Sequence, residues 1–143
     1  MKRLTAVLLA IILFTGAFAS CGKNNDYDTI STTDPYQIRV SIGNRNLDMR
    51  FYLEIYNESG ELSAYSVYTE KNTLAEALEE YMMGKFEKDK ETGKTEISLT
   101  DYTLKNGREW AIYVKGIRTN LSPANIVLVK DTTYTFSQVP EGK

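Results

Sequence analysis

Between Met49 and Tyr56 the chain alternates, with Met49, Phe51, Leu53 and Ile55 separated by Arg50, Tyr52, Glu54 and Tyr56. A period of two predicts a strand with one face packed and the other wet. Asn57-Glu58-Ser59-Gly60-Glu61 is turn chemistry, so Leu62 to Thr69 returns as the partner strand of a hairpin. Ile38 to Ile42 supplies a further short strand. The pattern then changes to helical spacing. In Thr73-Leu74-Ala75-Glu76 the Thr73 oxygen can accept from the Glu76 amide while the Glu76 carboxylate reaches back, which starts a helix. Leu74, Ala77, Leu78, Tyr81 and Met82 form its buried stripe, and Gly84 can close its end.

Lys85 to Lys94 is dense in charge and reads as a loop. Thr95 to Leu104 and Glu109 to Val114 read as strands flanking Lys105-Asn106-Gly107-Arg108, whose Asn-Gly pair suits a type I′ turn. Gly116 allows a bend and Pro123 makes Leu121 to Asn125 irregular. Ile126 to Val129 and Thr133 to Phe136 supply closing β material. The fold class expected is α+β, hairpins packed on one main helix.

The first 37 residues are of another kind. Met1, Lys2 and Arg3 form a positive start, and Leu4 to Phe18 is apolar except for Thr5, Thr15 and Gly16. That run falls short of the ~20 apolar residues of a bilayer-spanning helix and reads as a cleaved signal. Ala17-Phe18-Ala19 fits ordinary secretion. Phe18-Ala19-Ser20-Cys21 resembles the bacterial lipobox, with Phe18 in place of the usual Leu. The second reading is preferred because the one cysteine of the chain stands where lipidation needs it. A diacylglycerol thioether with a further acyl chain supplies the two signals that stable anchoring takes, at about 0.8 kcal/mol per buried methylene. The expected organisation is a lipoprotein signal peptide over 1–20, a lipidated flexible tether over 21–37, and a single domain over 38–143. The domain holds roughly 105 residues, near the commonest size.

Composition narrows the chemistry. The chain carries 17 bases and 19 acids, and two of the bases, Lys2 and Arg3, lie in the leader, so the mature chain keeps 15 against 19. Nucleic acid is not expected as a partner of a net acidic chain. With no histidine and a single cysteine, His bases, Cys nucleophiles and Cys/His zinc sites are excluded. Calcium lacks its Asp-x-Asp-x-Asp-Gly spacing, and no cofactor is expected. Paired carboxylates drawn from Glu79, Glu80, Asp89 and Glu91 are the remaining route to hydrolysis, but neighbouring helix positions diverge and charge runs mark solvated surface. Asn57-Glu58-Ser59 and Asn120-Leu121-Ser122 match the glycosylation sequon by chance in a bacterial chain.

The order hairpin, helix, further strands, together with Thr73-Leu74-Ala75-Glu76-Ala77-Leu78, Trp110-Ala111-Ile112-Tyr113-Val114-Lys115-Gly116, Leu128-Val129-Lys130-Asp131 and Tyr134-Thr135-Phe136, resembles the transcobalamin-like C-terminal domain. The resemblance runs from about Met49 to Phe136. It departs where the family has Asn-Gly and this chain Lys115-Gly116, and where the family has Gly-Asp and this chain Asp131-Thr132. It implies a β-grasp-like fold in which a mixed sheet of hairpins wraps one main helix, no catalysis, and a ligand site near Trp110 and Tyr113. Cobalamin is the family's ligand in the carriers, where a helical barrel absent here forms the other half of the site.

The functional expectation is therefore an extracytoplasmic lipoprotein, anchored to the bacterial cell membrane, whose domain is a non-enzymatic binding module for a small cobalamin-like ligand, a glycan or a partner protein. Tyr52, Tyr56, Tyr65, Tyr68 and Tyr113 offer a candidate amphipathic surface. The alternative is a structural or assembly subunit of an envelope complex. Mass spectrometry of the chain from its native envelope is expected to find Cys21 as the first residue, carrying diacylglycerol on its sulfur and a further acyl chain. A free thiol, or a chain beginning at Ser20, contradicts the anchor.

Overall fold

The computed structural model describes residues 29–30 and 38–143. The signal segment, Cys21 and the expected tether apart from residues 29 and 30 lie outside the described residues. Among the described residues ten elements follow one another. They are β1 (Val40–Ile42), β2 (Arg50–Tyr56), β3 (Leu62–Tyr68), α1 (Leu74–Glu80), β4 (Gly84–Lys88), β5 (Thr95–Leu99), β6 (Arg108–Val114), β7 (Ile117–Thr119), a 3-10 turn (Pro123–Asn125) and β8 (Thr133–Pro140). Six strands form one mixed sheet in the order β1-β3-β2-β8-β6-β7, and β4 and β5 form a separate two-stranded sheet. Among the described residues the architecture is α+β, mostly sheet with one helix, as the pattern predicts at that level.

At the centre β2 and β8 run parallel, from Tyr52 opposite Thr133 to Ile55 opposite Phe136. β3 and β6 flank them antiparallel, and β1 joins β3 in parallel. The period-two alternation of β2 places Phe51, Leu53 and Ile55 on one face. There they join Val67, Trp110, Ile112, Tyr134 and Phe136, and α1 covers them with Leu74, Ala77 and Leu78. Burying side chains of this size stabilises by about 1.5–3 kcal/mol each, which is what holds so short a helix in place. On the opposite face Ala111, Tyr113 and Val139 make a smaller cluster. Ile30, from the stretch expected as tether, packs on it, and Thr29 bridges to Ile117.

α1 begins as its capping box predicts, with Glu76 N–H donating to Thr73 Oγ1 at 3.3 Å and Thr73 N–H donating to Glu76 Oε2 at 3.1 Å. It ends differently. Gly84 is not the stop but the first residue of β4, where an added Cβ would lie 3.2 Å from Ser98 O. Met82 takes the left-handed position at φ 52°, and Met82 N–H and Met83 N–H donate to Glu79 O and Leu78 O, a Schellman closure. Met82 is thereby turned out to 80% exposure, while Met83 packs against the core in its stead. The helical period fails one residue after it stops being a helix.

The second hairpin is also relocated. Lys85 to Lys94, expected as a loop, contains β4, which pairs antiparallel with β5 from Gly84 opposite Leu99 to Lys88 opposite Thr95. Only Phe86 of its side chains is packed inward, stacked on Phe136 at 6.4 Å between ring centroids, so charge on the other positions hid the strand. β6 pairs with β8 and β7 instead of with the 95–104 segment. That segment leaves the strand after Leu99 and is pinned by Gln138, which accepts from Lys105 N–H at 2.9 Å and donates to Thr103 O at 2.8 Å. The Asn106-Gly107 turn has positive φ only at Gly107, at 75°, so it is not type I′. The type I′ turn lies at Lys115-Gly116, with φ 52° and 80°, and folds β7 back on β6. β8 continues to Pro140, beyond the expected Phe136, and Ile126 to Val129 contributes a single bridge, Val127 to Thr73, rather than a strand.

A side chain other than glycine in the left-handed region costs roughly 1–2 kcal/mol, partly offset by the greater unfolded-state freedom of glycine. Met82→Gly is therefore expected to raise stability by about 0.5–1 kcal/mol in urea denaturation, since the exposed Met82 side chain has little packing to lose.

Candidate functional site

β6 presents its residues alternately to the two faces of the sheet. Trp110 lies with the main core and Tyr113 with the opposite cluster, 8% and 1% exposed respectively. The two aromatics of the Trp-Ala-x-Tyr strand therefore share no cavity: a three-residue step along a strand changes face. The tyrosines likewise do not form one surface. Tyr65 faces the main core and meets Tyr102, hydroxyl to hydroxyl, at 2.5 Å, whereas Tyr52 lies on the other face beneath the guanidinium groups of Arg39 and Arg50. Burial pushes the Tyr102 hydroxyl up to about 12, with the Tyr65 bond adding to the effect.

Trp110 stands at a cleft between β6 and β5. Two adjoining lobes, of about 420 and 430 Å³, share Lys94, Thr95, Ile97, Glu109 and Trp110. Each is within the range of about 300–1,000 Å³ usual for ligand sites. The cleft exists because β7 is short. Its register with β6 runs only from Val114 to Ile112, after which Asn120 to Pro123 turns away and leaves the first half of β6 uncovered on that edge.

Charge is divided along it. The first lobe, towards the 119–125 segment, carries Lys88, Lys94 and Arg118 against Glu109 alone. The second, towards the 104–108 turn, adds Asp89, Glu96 and Glu141, opposed by Arg108. Glu109 sits at the junction. Lys94 Nζ reaches its Oε2 at 3.1 Å from the β5 side, and Arg118 Nη2 its Oε1 at 3.3 Å from β7. Lys94 is mostly exposed and Arg118 mostly buried, so the first pair is a loose strap over the cleft and the second is structural.

The carboxylates considered for catalysis do not converge. Glu79 and Glu80 lie on exposed positions of α1, and Glu80 accepts from Thr69 Oγ1 at 2.9 Å. Asp89 lines the second lobe, but the amides of Thr92 and Glu91 donate to it and hold its carboxyl below the usual carboxylate range. That favours the ionised form, the wrong state for a general acid at neutral pH. Among the described residues no three acidic side chains gather as a metal-ligand set, and no helix is long and apolar enough to cross a membrane.

Sequence reading singled out Trp110 but missed Lys94, Glu109 and Arg118. The available signal was Lys115-Gly116: a two-residue turn there sets Arg118 opposite Tyr113 and on the same face as Glu109.

No family profile matches the chain, and no curated protein matches it. Among solved structures, a proposed metal-binding protein from Ruminococcus gnavus ATCC 29149 superposes with a TM-score of 0.58 at 16% identity, over 65% of this chain and 98% of that one. At that identity the likeness is one of fold alone.

The asymmetry at Glu109 is measurable. Lys94→Ala is expected to change stability by less than about 0.5 kcal/mol. Arg118→Ala, which leaves a half-buried carboxylate short of a partner, is expected to cost roughly 1–3 kcal/mol in urea denaturation.

Proposed function

We propose that the chain is a non-catalytic binding module, held by lipid at Cys21 on the outer side of a bacterial cell membrane, and that it binds its ligand in the cleft at Trp110. The observation that carries this reading is the cleft itself. It is bounded by two strands, has an indole at its junction, and sets bases at one end against acids at the other. Convergent polar groups beside an aromatic in a cavity of ligand size are what a binding site requires.

A β-grasp-like assignment, with the transcobalamin-like resemblance that goes with it, is supported by the central parallel pair β2 and β8, the antiparallel neighbours β3 and β6, and the helix set between the first hairpin and the later strands. It makes cobalamin one candidate ligand. The metal binding proposed for the Ruminococcus gnavus protein has no ligand set to rest on among the described residues here.

Trp110 is the only tryptophan, so its emission reports the cleft directly. Titration of the detergent-solubilised mature lipoprotein with cobalamin, with oligosaccharides and with small-molecule fractions of the native envelope is expected to give a saturable change for one of them. The change should disappear in Asn120→Arg, which crowds the first lobe from an exposed position, and persist in Tyr113→Phe on the other face. A saturable change that Asn120→Arg leaves intact contradicts the assignment of the cleft, as does silence toward all three together with silence toward extended peptides.

A further inference from the structure

In an antiparallel ladder both peptide groups of a residue point to the same side, and the side alternates along the strand. Lys115 N–H donates to Thr133 O and Glu141 N–H to Gly107 O, so the odd-numbered residues of β6 spend their peptide groups on β8. The even-numbered ones point the other way, and β7 meets only Ile112 and Val114. The N–H and C=O of Trp110 are left facing the cleft, with no hydrogen bond to either among the described residues.

The opposite wall has the same property. Asp89 N–H donates to Lys94 O and Thr100 N–H to Met83 O, which bracket the β4–β5 ladder and assign the even-numbered residues of β5 to β4. Thr95 and Ile97 therefore turn their peptide groups outward, and both line the cleft on which Trp110 opens. An open strand edge stands on each side of one cavity. Such edges are templates for an added strand, and natural sheets ordinarily cover or blunt them. Here the cover is the Lys94–Glu109 strap, whose lysine is mostly exposed and whose carboxylate keeps Arg118 when the strap opens.

We infer that the cleft takes an extended peptide segment of a partner protein, added as a strand to the open half of β6 beside Trp110. This rests on the reading of the cleft as the binding site and names the class of its ligand. Main-chain hydrogen bonds supply the attachment in such strand addition, and side-chain contacts the selectivity. Charge fixes the direction. A strand continuing the line of β7 runs antiparallel to β6 and enters at the end of Lys88 and Arg118, then leaves at the end of Asp89, Glu96 and Glu141. The segment that fits carries an acidic residue before its paired stretch and a basic residue after it.

The probe is a blocked heptapeptide, Glu-Thr-Val-Thr-Val-Thr-Lys, titrated against the detergent-solubilised mature lipoprotein and followed through Trp110 emission. Two controls accompany it: the charge-reversed peptide Lys-Thr-Val-Thr-Val-Thr-Glu, and the first peptide N-methylated at alternate residues in each of the two phases. The expected result is saturable binding, at least tenfold weaker for the reversed peptide and lost in one N-methylated form. Lys88→Glu should remove the tenfold preference. Equal binding of both N-methylated forms overturns strand addition, as does equal binding of the two charge orders in the parent chain. If neither peptide binds at millimolar concentration while the small-ligand titration still saturates, the cleft remains the site and the peptide assignment falls. If both titrations are silent, both fall. Concentration-dependent dimerisation abolished by Asn120→Arg would assign the edge to a second copy of this chain and contradict a foreign segment.

Discussion

The pairing of β6 with β8 is the constraint from which the rest of the structure follows. It places Trp110 and Ile112 in the main core and turns Ala111 and Tyr113 to the other face, and it decides which peptide groups remain available. Because β8 is also the parallel partner of β2, the same ladder joins the first hairpin to the last. Two ion pairs secure that join where β8 begins, Arg50 with Asp131 at 2.6 Å and Lys130 with Asp48 at 2.6 Å. Both are largely solvent-exposed and worth little individually. The Asp131 N–H bond to Arg50 O at 2.7 Å does more to fix the register.

The elements whose side chains state their own period were legible in the sequence. β2 alternates over eight residues and the capping box of α1 is local chemistry, so both stand where they were expected. What was not legible depended on long-range partners. β4 carries three charged side chains on a five-residue strand and is held by a single inward aromatic, Phe86, against a residue fifty positions away. Asn106-Gly107 is the commoner hairpin pair, yet the hairpin turn formed at Lys115-Gly116, because the strands that had to meet were β6 and β7. Local preference yielded to the sheet.

The candidate site shows the same division. Trp110 was visible as an aromatic in a strand, but the feature that sets it beside a cleft is where β7 stops, and nothing in Thr119-Asn120-Leu121 announces that without the partner strand in view. The separation of Trp110 from Tyr113 needed only the strand period. The outward peptide groups on both walls of the cleft, the loose lysine strap and the divided charge are separate observations at one place. Together they favour a ligand recognised through its backbone.

The measurement closest to this account is amide hydrogen exchange in the folded, unliganded chain, read residue by residue along β6. The Glu109 and Ala111 amides, bonded to β8, should be protected to near the global unfolding limit, while the Trp110 amide between them exchanges orders of magnitude faster. Protection of Trp110 equal to that of its two neighbours would mean that its edge is already filled and would contradict the open strand.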